Sequence, residues 1–455
     1  MFKPLFELTP EEAWSEFTPS LGDPWDARKV RHLFRRTQYA CPANETNEAL
    51  KESPQKLVDH LVDQAVDDAT QEDTFEFLRR QLVTSNNTQA LGSWWVYRFF
   101  FTQSPLRERM TLNWHSHFAT SADKVDSTRL MLGQNRILRQ HALGSFRDLT
   151  HGISQDPAML IYLDSATNRK AHPNENYARE LMELFCLGEG HYTETDVLEL
   201  ARCFTGWEIR RDKYRFNAYQ HDDQPKEILG KRDAFPDSTA IDWVLDQPRC
   251  SQYLSDRLYR WMIADEPVPS AEYLEPIAQL LRQHDLRIEP AVRLILKSRA
   301  FYSIAAIQRK IKSPIEFLLS WTRPLQITSN MSALANDLRQ MGQALFFPPN
   351  VKGWEGGRTW INASTLLARA NSVTRLLNDP KTKYAGQSLT DFLAERDLES
   401  TSSQLDFLWN DRLGFESEPS SLDAIERAMS TTSAPEDRFK EILRSLVLLP
   451  QFQLT

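Results

Sequence analysis

Along most of this chain apolar residues recur every three or four positions, the spacing that puts them on one face of an α-helix. The clearest instance is the stretch from His172 to Trp207, H-P-N-E-N-Y-A-R-E-L-M-E-L-F-C-L-G-E-G-H-Y-T-E-T-D-V-L-E-L-A-R-C-F-T-G-W. At about 100° per residue, His172, Asn176, Arg179, Glu180 and Glu183 share a narrow polar stripe. Tyr177, Leu181, Met182, Leu184 and Phe185 cover the opposite face. This predicts a helix that packs through Leu181, Leu184 and Phe185. Gly188 follows the last apolar turn and is expected in the left-handed conformation that ends a helix. Thr193, with Asp196 three residues on, then starts a second helix, and Gly206 stops it.

Helix starts are marked repeatedly by a cap acceptor, a proline and an acid: Thr9-Pro10-Glu11-Glu12, Asp23-Pro24-Trp25-Asp26 and Ser313-Pro314-Ile315-Glu316. Ser53-Pro54, Ser104-Pro105 and Asp156-Pro157 give the cap and proline alone. Between Ser93 and Phe118 the text is strongly aromatic, which predicts a buried helical hairpin broken near Gln103. Strand-like pattern is confined to Trp207–Arg210 and Tyr214–Asn217, joined by a turn at Asp212-Lys213, with Glu227–Leu229 as a further candidate. The expected fold is therefore mainly α: a multi-helix globular body with one small β-hairpin or ribbon insertion. Its main helical domain spans residues 1–380, with the ribbon at about 207–230. Past Asn378 the text turns to Ser, Thr and acids, as at Ser400–Ser403 and Ser430–Ser433, which predicts a looser C-terminal helical segment over 381–455.

Composition agrees with helices, since only 15 of 455 residues are glycine. A net charge of −8 with no basic block argues against nucleic acid as a partner. Cys41, Cys186, Cys203 and Cys250 are far apart, as buried small hydrophobes would be. No run of ~18 apolar residues predicts a membrane span, and no export signal opens the text. As written, the chain is expected in the cytoplasm, with the periplasm or export as the alternative.

Candidate chemistry gathers at three places. W-H-S-H-F supplies His115 and His117, which on a continued helix point about 200° apart and so share a ligand only if the backbone frays. The central stretch supplies Glu180 and Glu183, one turn apart, and His191 in the glycine turn, with His221 and Asp222 in the ribbon loop. Glu180, Glu183 and His191 are the acid–base candidates, and His115, His117, His221 and Asp222 the candidate ligands of a divalent metal, zinc, iron or manganese. The loop F-F-P-P-N-V-K-G-W-E-G-G-R-T-W cannot form regular structure and is no Walker loop. It carries Lys352, Trp354 and Trp360, which with Asn176 are the candidate binding residues. Three functions stay open: a binding or assembly protein that recognises a saccharide or a partner protein through the Trp-rich loop, a metal-assisted or acid–base hydrolase, and a purely structural protein.

Taken together, H-L-F-R-R-T, W-H-S-H-F-A-T-S-A-D-K-V, the central stretch, G-Q-A-L-F-F-P-P-N-V-K-G-W-E-G-G-R-T-W-I-N and the closing P-Q-F-Q resemble the bacterial domain-of-unknown-function family 1800. The resemblance runs over almost the whole chain and implies no particular reaction. It implies export for many members and a sulfatase-like companion protein encoded nearby as a partner. It also implies that W-H-S-H-F, the central stretch and the Pro-Pro-Asn-Val-Lys-Gly-Trp loop form one site.

Overall fold

A computed structural model describes residues 8–67, 72–236, 238–416, 419–429 and 434–455. The run Ser430–Ser433 lies outside them. Helices make up most of the fold, and among the described residues strands pair only in three two-stranded antiparallel sheets. No described helix is long and apolar enough to cross a membrane. Full capping boxes form at Thr9, Thr193 and Ser313, each side chain accepting from the backbone three residues on while the acid there returns the bond. Helices also begin at Pro54, Pro105 and Pro157. Asp23 does not cap a helix. Trp25 packs against Tyr302 at 5.4 Å between ring centres, residues 24–25 lie outside any helix, and Asp26 caps the helix Ala27–Gln38.

The ribbon consists of two hairpins. Trp207–Arg210 pairs with Lys213–Phe216 through Arg211 and Asp212, both at positive φ, so the turn falls one residue earlier than the sequence pattern suggests. Lys226–Ile228 pairs with Lys231–Asp233, and a third, short sheet joins Ile327–Thr328 to Lys383–Tyr384.

Buried apolar side chains form two clusters. One includes Trp114, Phe146, Phe185, Leu258 and Ile295, and the other Trp95, Phe99, Trp321, Phe346 and Phe439. The helix Pro105–His117 lies between them, giving Met110 and Trp114 to the first and Leu112 to the second. Its position is held by a buried charge network. Glu108 takes Arg98 at 3.1 Å and Arg139 at 2.6 Å, and accepts from Trp95 Nε1 at 3.0 Å, tying it to the helices Leu91–Phe101 and Thr128–Gln140. Burial opposes the charge on Glu108, yet Arg139 and Arg98 hold its pKa down to about 2. The C-terminal helix Pro435–Val447 shares the second cluster through Phe439, Ile442, Leu443 and Leu446. Fully buried Arg36 donates to the carbonyls of Ile263, Ala306 and Thr455 at 2.9, 3.2 and 3.0 Å, binding three distant segments together.

In the central stretch the α-helix Asn176–Glu180 widens into a π-helix over Leu181–Cys186, where Leu187 N–H reaches back to Met182 O at 2.8 Å. Each π turn holds more residues than an α turn, so faces drawn at the α period shift around the axis. Leu181 and Phe185 are fully buried, as expected. Leu184 is only half-buried, against the expectation that it packs in the core. Phe185→Asp is therefore expected to abolish cooperative unfolding, while Leu184→Asp folds with a lowered melting temperature. Equal loss in both variants, followed by circular dichroism, would contradict this placement.

Candidate functional site

Three successive residues end the 105–117 helix, and each meets a different part of the chain. The helix stays regular through His117, so the two histidines diverge as the α period requires. His115 enters an aromatic box, with ring centres 5.3 Å from Trp95, 5.6 Å from Phe346 and 5.7 Å from Trp354. His117 turns to the other core, among Trp114, Phe118, Phe185 and Trp261. Ser116, between them, accepts at Oγ from Trp354 N–H at 3.2 Å. The Trp-rich loop thus lies directly on the helix end. Gly353 has φ +75°, and a Cβ there would stand 2.1 Å from Ser116 O, so only glycine permits the approach.

The π-helix leaves carbonyls at its C-terminal end that its own backbone does not satisfy. Side chains from elsewhere supply donors: Tyr253 Oη to Leu184 O at 2.7 Å, His117 Nε2 to Phe185 O at 2.9 Å, and Arg249 Nε to Leu187 O at 2.8 Å. Tyr253 and Arg249 both come from the helix Pro248–Met262. A carbonyl can only accept, so Nε2 of His117 carries the proton and Nδ1 is left with its lone pair. Nδ1 is buried and has no partner. Burial, then the nearby Arg257, lower the His117 pKa to about 3, the Phe185 bond opposing them, and burial alone lowers His115 to about 3. Both imidazoles are thus neutral near pH 7. Because their folded pKa values are depressed, their contribution to stability is present above about 6.5 and is lost as pH falls toward 3.

A cleft of about 450 Å³ opens beside this junction. Trp261, Trp354 and Trp360 give it indole walls, and Asn113, Ser116, His117 and Gln343 line it with polar groups. Six cationic and four acidic side chains also line it. Arg109 pairs with Glu316 and stacks on Tyr39 at 4.3 Å from the ring centre, while Arg358 pairs with Glu266 at 2.7 Å across the mouth. Lys310 bonds one oxygen of Asp265, and the other oxygen is buried without a partner. Tyr39 sits in the left-handed region at φ 75°, its hydroxyl also buried and partnerless. Burial raises that phenol's pKa.

The sequence candidates are distributed unevenly around this cleft. His117, Lys352, Trp354 and Trp360 line it. Trp360 is buried, 8% exposed, and Trp354 half-buried. Glu180 and Glu183 are not among the lining residues: burial, then Glu183, raise the Glu180 pKa, and Lys352 of the lining opposes them. Glu183 accepts from Tyr192 Oη at 2.7 Å. Arg179 and Asn176 face outward, Arg179 paired with Glu175 and Glu194 at 3.0 and 2.7 Å, while Glu180 and Glu183 are half-buried. His191 is exposed in its turn. His221 and Asp222 brace the ribbon, His221 Nδ1 meeting Thr205 O at 2.9 Å and Asp222 pairing with Arg202 at 2.7 Å. The expected convergence of His115, His117, Glu180, Glu183, His191, His221 and Asp222 is not found, because the regular helix parts the histidines and the ribbon takes its pair elsewhere. Among the described residues no three His, Cys, Asp or Glu side chains group as metal ligands. Sequence reading passed over Tyr39, Arg109, Arg257, Trp261 and Asp265. A signal existed in Tyr253, Arg257 and Trp261, spaced by four on one helix face.

A family model described as "Protein of unknown function (DUF1800)" matches residues 32–454. No curated protein and no solved structure matches the chain.

Gly353→Ala is expected to lift the loop from Ser116. The intrinsic fluorescence of Trp354 should shift to the red and the melting temperature should fall, while far-ultraviolet circular dichroism stays helical. Unchanged fluorescence would mean that the loop is not seated through this contact.

Proposed function

The chain belongs to this family of proteins of unknown function, and from that premise we propose that it is a binding protein which takes a saccharide in the cleft beside His117. The observation that carries the reading is the lining itself: Trp261, Trp354 and Trp360 around one cleft with Asn113, Ser116 and Gln343. The C–H faces of a sugar ring stack on indole, and its hydroxyls need donors and acceptors side by side. Gln343 has its oxygen engaged by Ile315 N–H at 3.0 Å, which leaves its amide nitrogen to donate. The cleft volume falls within the range of about 300–1,000 Å³ typical of small-ligand sites, enough for one or two sugar rings.

A second reading, hydrolysis of the bound saccharide, is favoured by Glu180. Burial and the neighbouring Glu183 raise its pKa, the direction that suits a proton donor. Its test is release of new reducing ends, lost in Glu180→Gln.

Titration with a panel of mono- and oligosaccharides, followed by tryptophan fluorescence and calorimetry, should give saturable binding to at least one member. Trp354→Ala should weaken that binding about tenfold or more, as expected for one stacking ring. A folded wild-type protein that binds no member of the panel would overturn the reading.

A further inference from the structure

We infer that the saccharide is acidic and that Arg257 is the counter-charge for its carboxylate, an inference that rests on the saccharide reading. The chain as a whole carries −8, yet the cleft is lined by more cations than acids. Five of its six cations already have carboxylate partners. Arg109, Lys310 and Arg358 pair with Glu316, Asp265 and Glu266 of the same lining. Arg260 and Lys352 pair with Asp256 and Glu189 outside it, at 2.9 and 3.5 Å. Of the six, Arg257 alone pairs with no carboxylate among the described residues.

Its surroundings hold it in place without neutralising it. The guanidinium lies 4.9 Å from the centre of the Tyr253 ring and donates through Nη2 to that residue's hydroxyl at 2.5 Å. Tyr253 is fixed in turn by its bond to Leu184 O. A half-buried cation without a counter-ion is unfavourable, and a carboxylate brought by the ligand offsets that cost. The flat fork of a stacked guanidinium matches a carboxylate better than it matches a hydroxyl. His117, 6% exposed, stands close enough for Arg257 to disfavour its protonation, and it brings the guanidinium no counter-charge. One end of the cleft therefore offers a fixed cation with no acid of its own, which suits a carboxylate carried on a sugar ring, as in a uronic acid. The remaining acid of the lining, Glu355, is exposed to solvent.

The test is calorimetric titration of the full chain with a uronic-acid disaccharide and with its carboxyl-reduced, neutral counterpart, using wild type, Arg257→Gln and Arg257→Lys. Wild type should favour the acidic form by about tenfold or more, the size of one charge-assisted pair. Arg257→Gln should lose that preference, with the larger loss on the acidic form, and Arg257→Lys should keep part of it. Binding of the neutral form doubles as evidence that the variant is folded. Equal affinity of wild type for the two forms, or an undiminished preference in Arg257→Gln, overturns the inference alone. Failure of both forms to bind wild type overturns the saccharide reading and this inference with it.

Discussion

A π-helix cannot end on its own terms, because its last carbonyls need donors that its backbone does not provide. Here Leu184, Phe185 and Leu187 receive them from Tyr253, His117 and Arg249. These three bonds join the central stretch to the end of the 105–117 helix and to one face of the 248–262 helix. They also decide chemistry. The Phe185 bond selects the tautomer of His117, and the Leu184 bond orients Tyr253, which then carries Arg257. The cleft's polar end is thus assembled by the requirements of a helix terminus.

The second constraint is the close seat of the Trp-rich loop on Ser116. Gly353 allows the backbones to touch, and Trp354 then has its N–H on Ser116 and its ring against His115. His115, Ser116 and His117 therefore face one core, the loop and the other core in turn, which gives the W-H-S-H-F motif a physical meaning without requiring both histidines in one site. Buried charge follows the same economy: Glu108 and Glu316 hold the arginines around them, and Arg36 is spread over three carbonyls.

Much of the fold was legible because it depends on local rules. Proline and cap residues marked helix starts at Pro54, Pro105 and Pro157, and alternation marked the ribbon. Asp23 misled because Trp25 found a distant partner in Tyr302. Leu184 misled because a π turn changes the angular period that assigns faces, and a single sequence carries no sign of that change. The site was legible in part. Trp354, Trp360, Lys352 and His117 do line one cleft. Tyr39, Arg109 and Asp265 reach it only through contacts between distant segments, which spacing along the chain cannot express. His221 and Asp222 looked like ligands because loop residues of those types often are, but Thr205 and Arg202 use them to fasten the ribbon.

The central claim is that the π-helix terminus holds His117 neutral, with its proton on Nε2 and a free lone pair on Nδ1. The most direct measurement is the ¹⁵N spectrum of the His117 imidazole, recorded from pH 8 to pH 5. The account predicts a protonated Nε2 and an unprotonated Nδ1 throughout, without titration, since the folded pKa lies at about 3. A proton on Nδ1, or a titration near the ordinary histidine value of about 6.5, would contradict it.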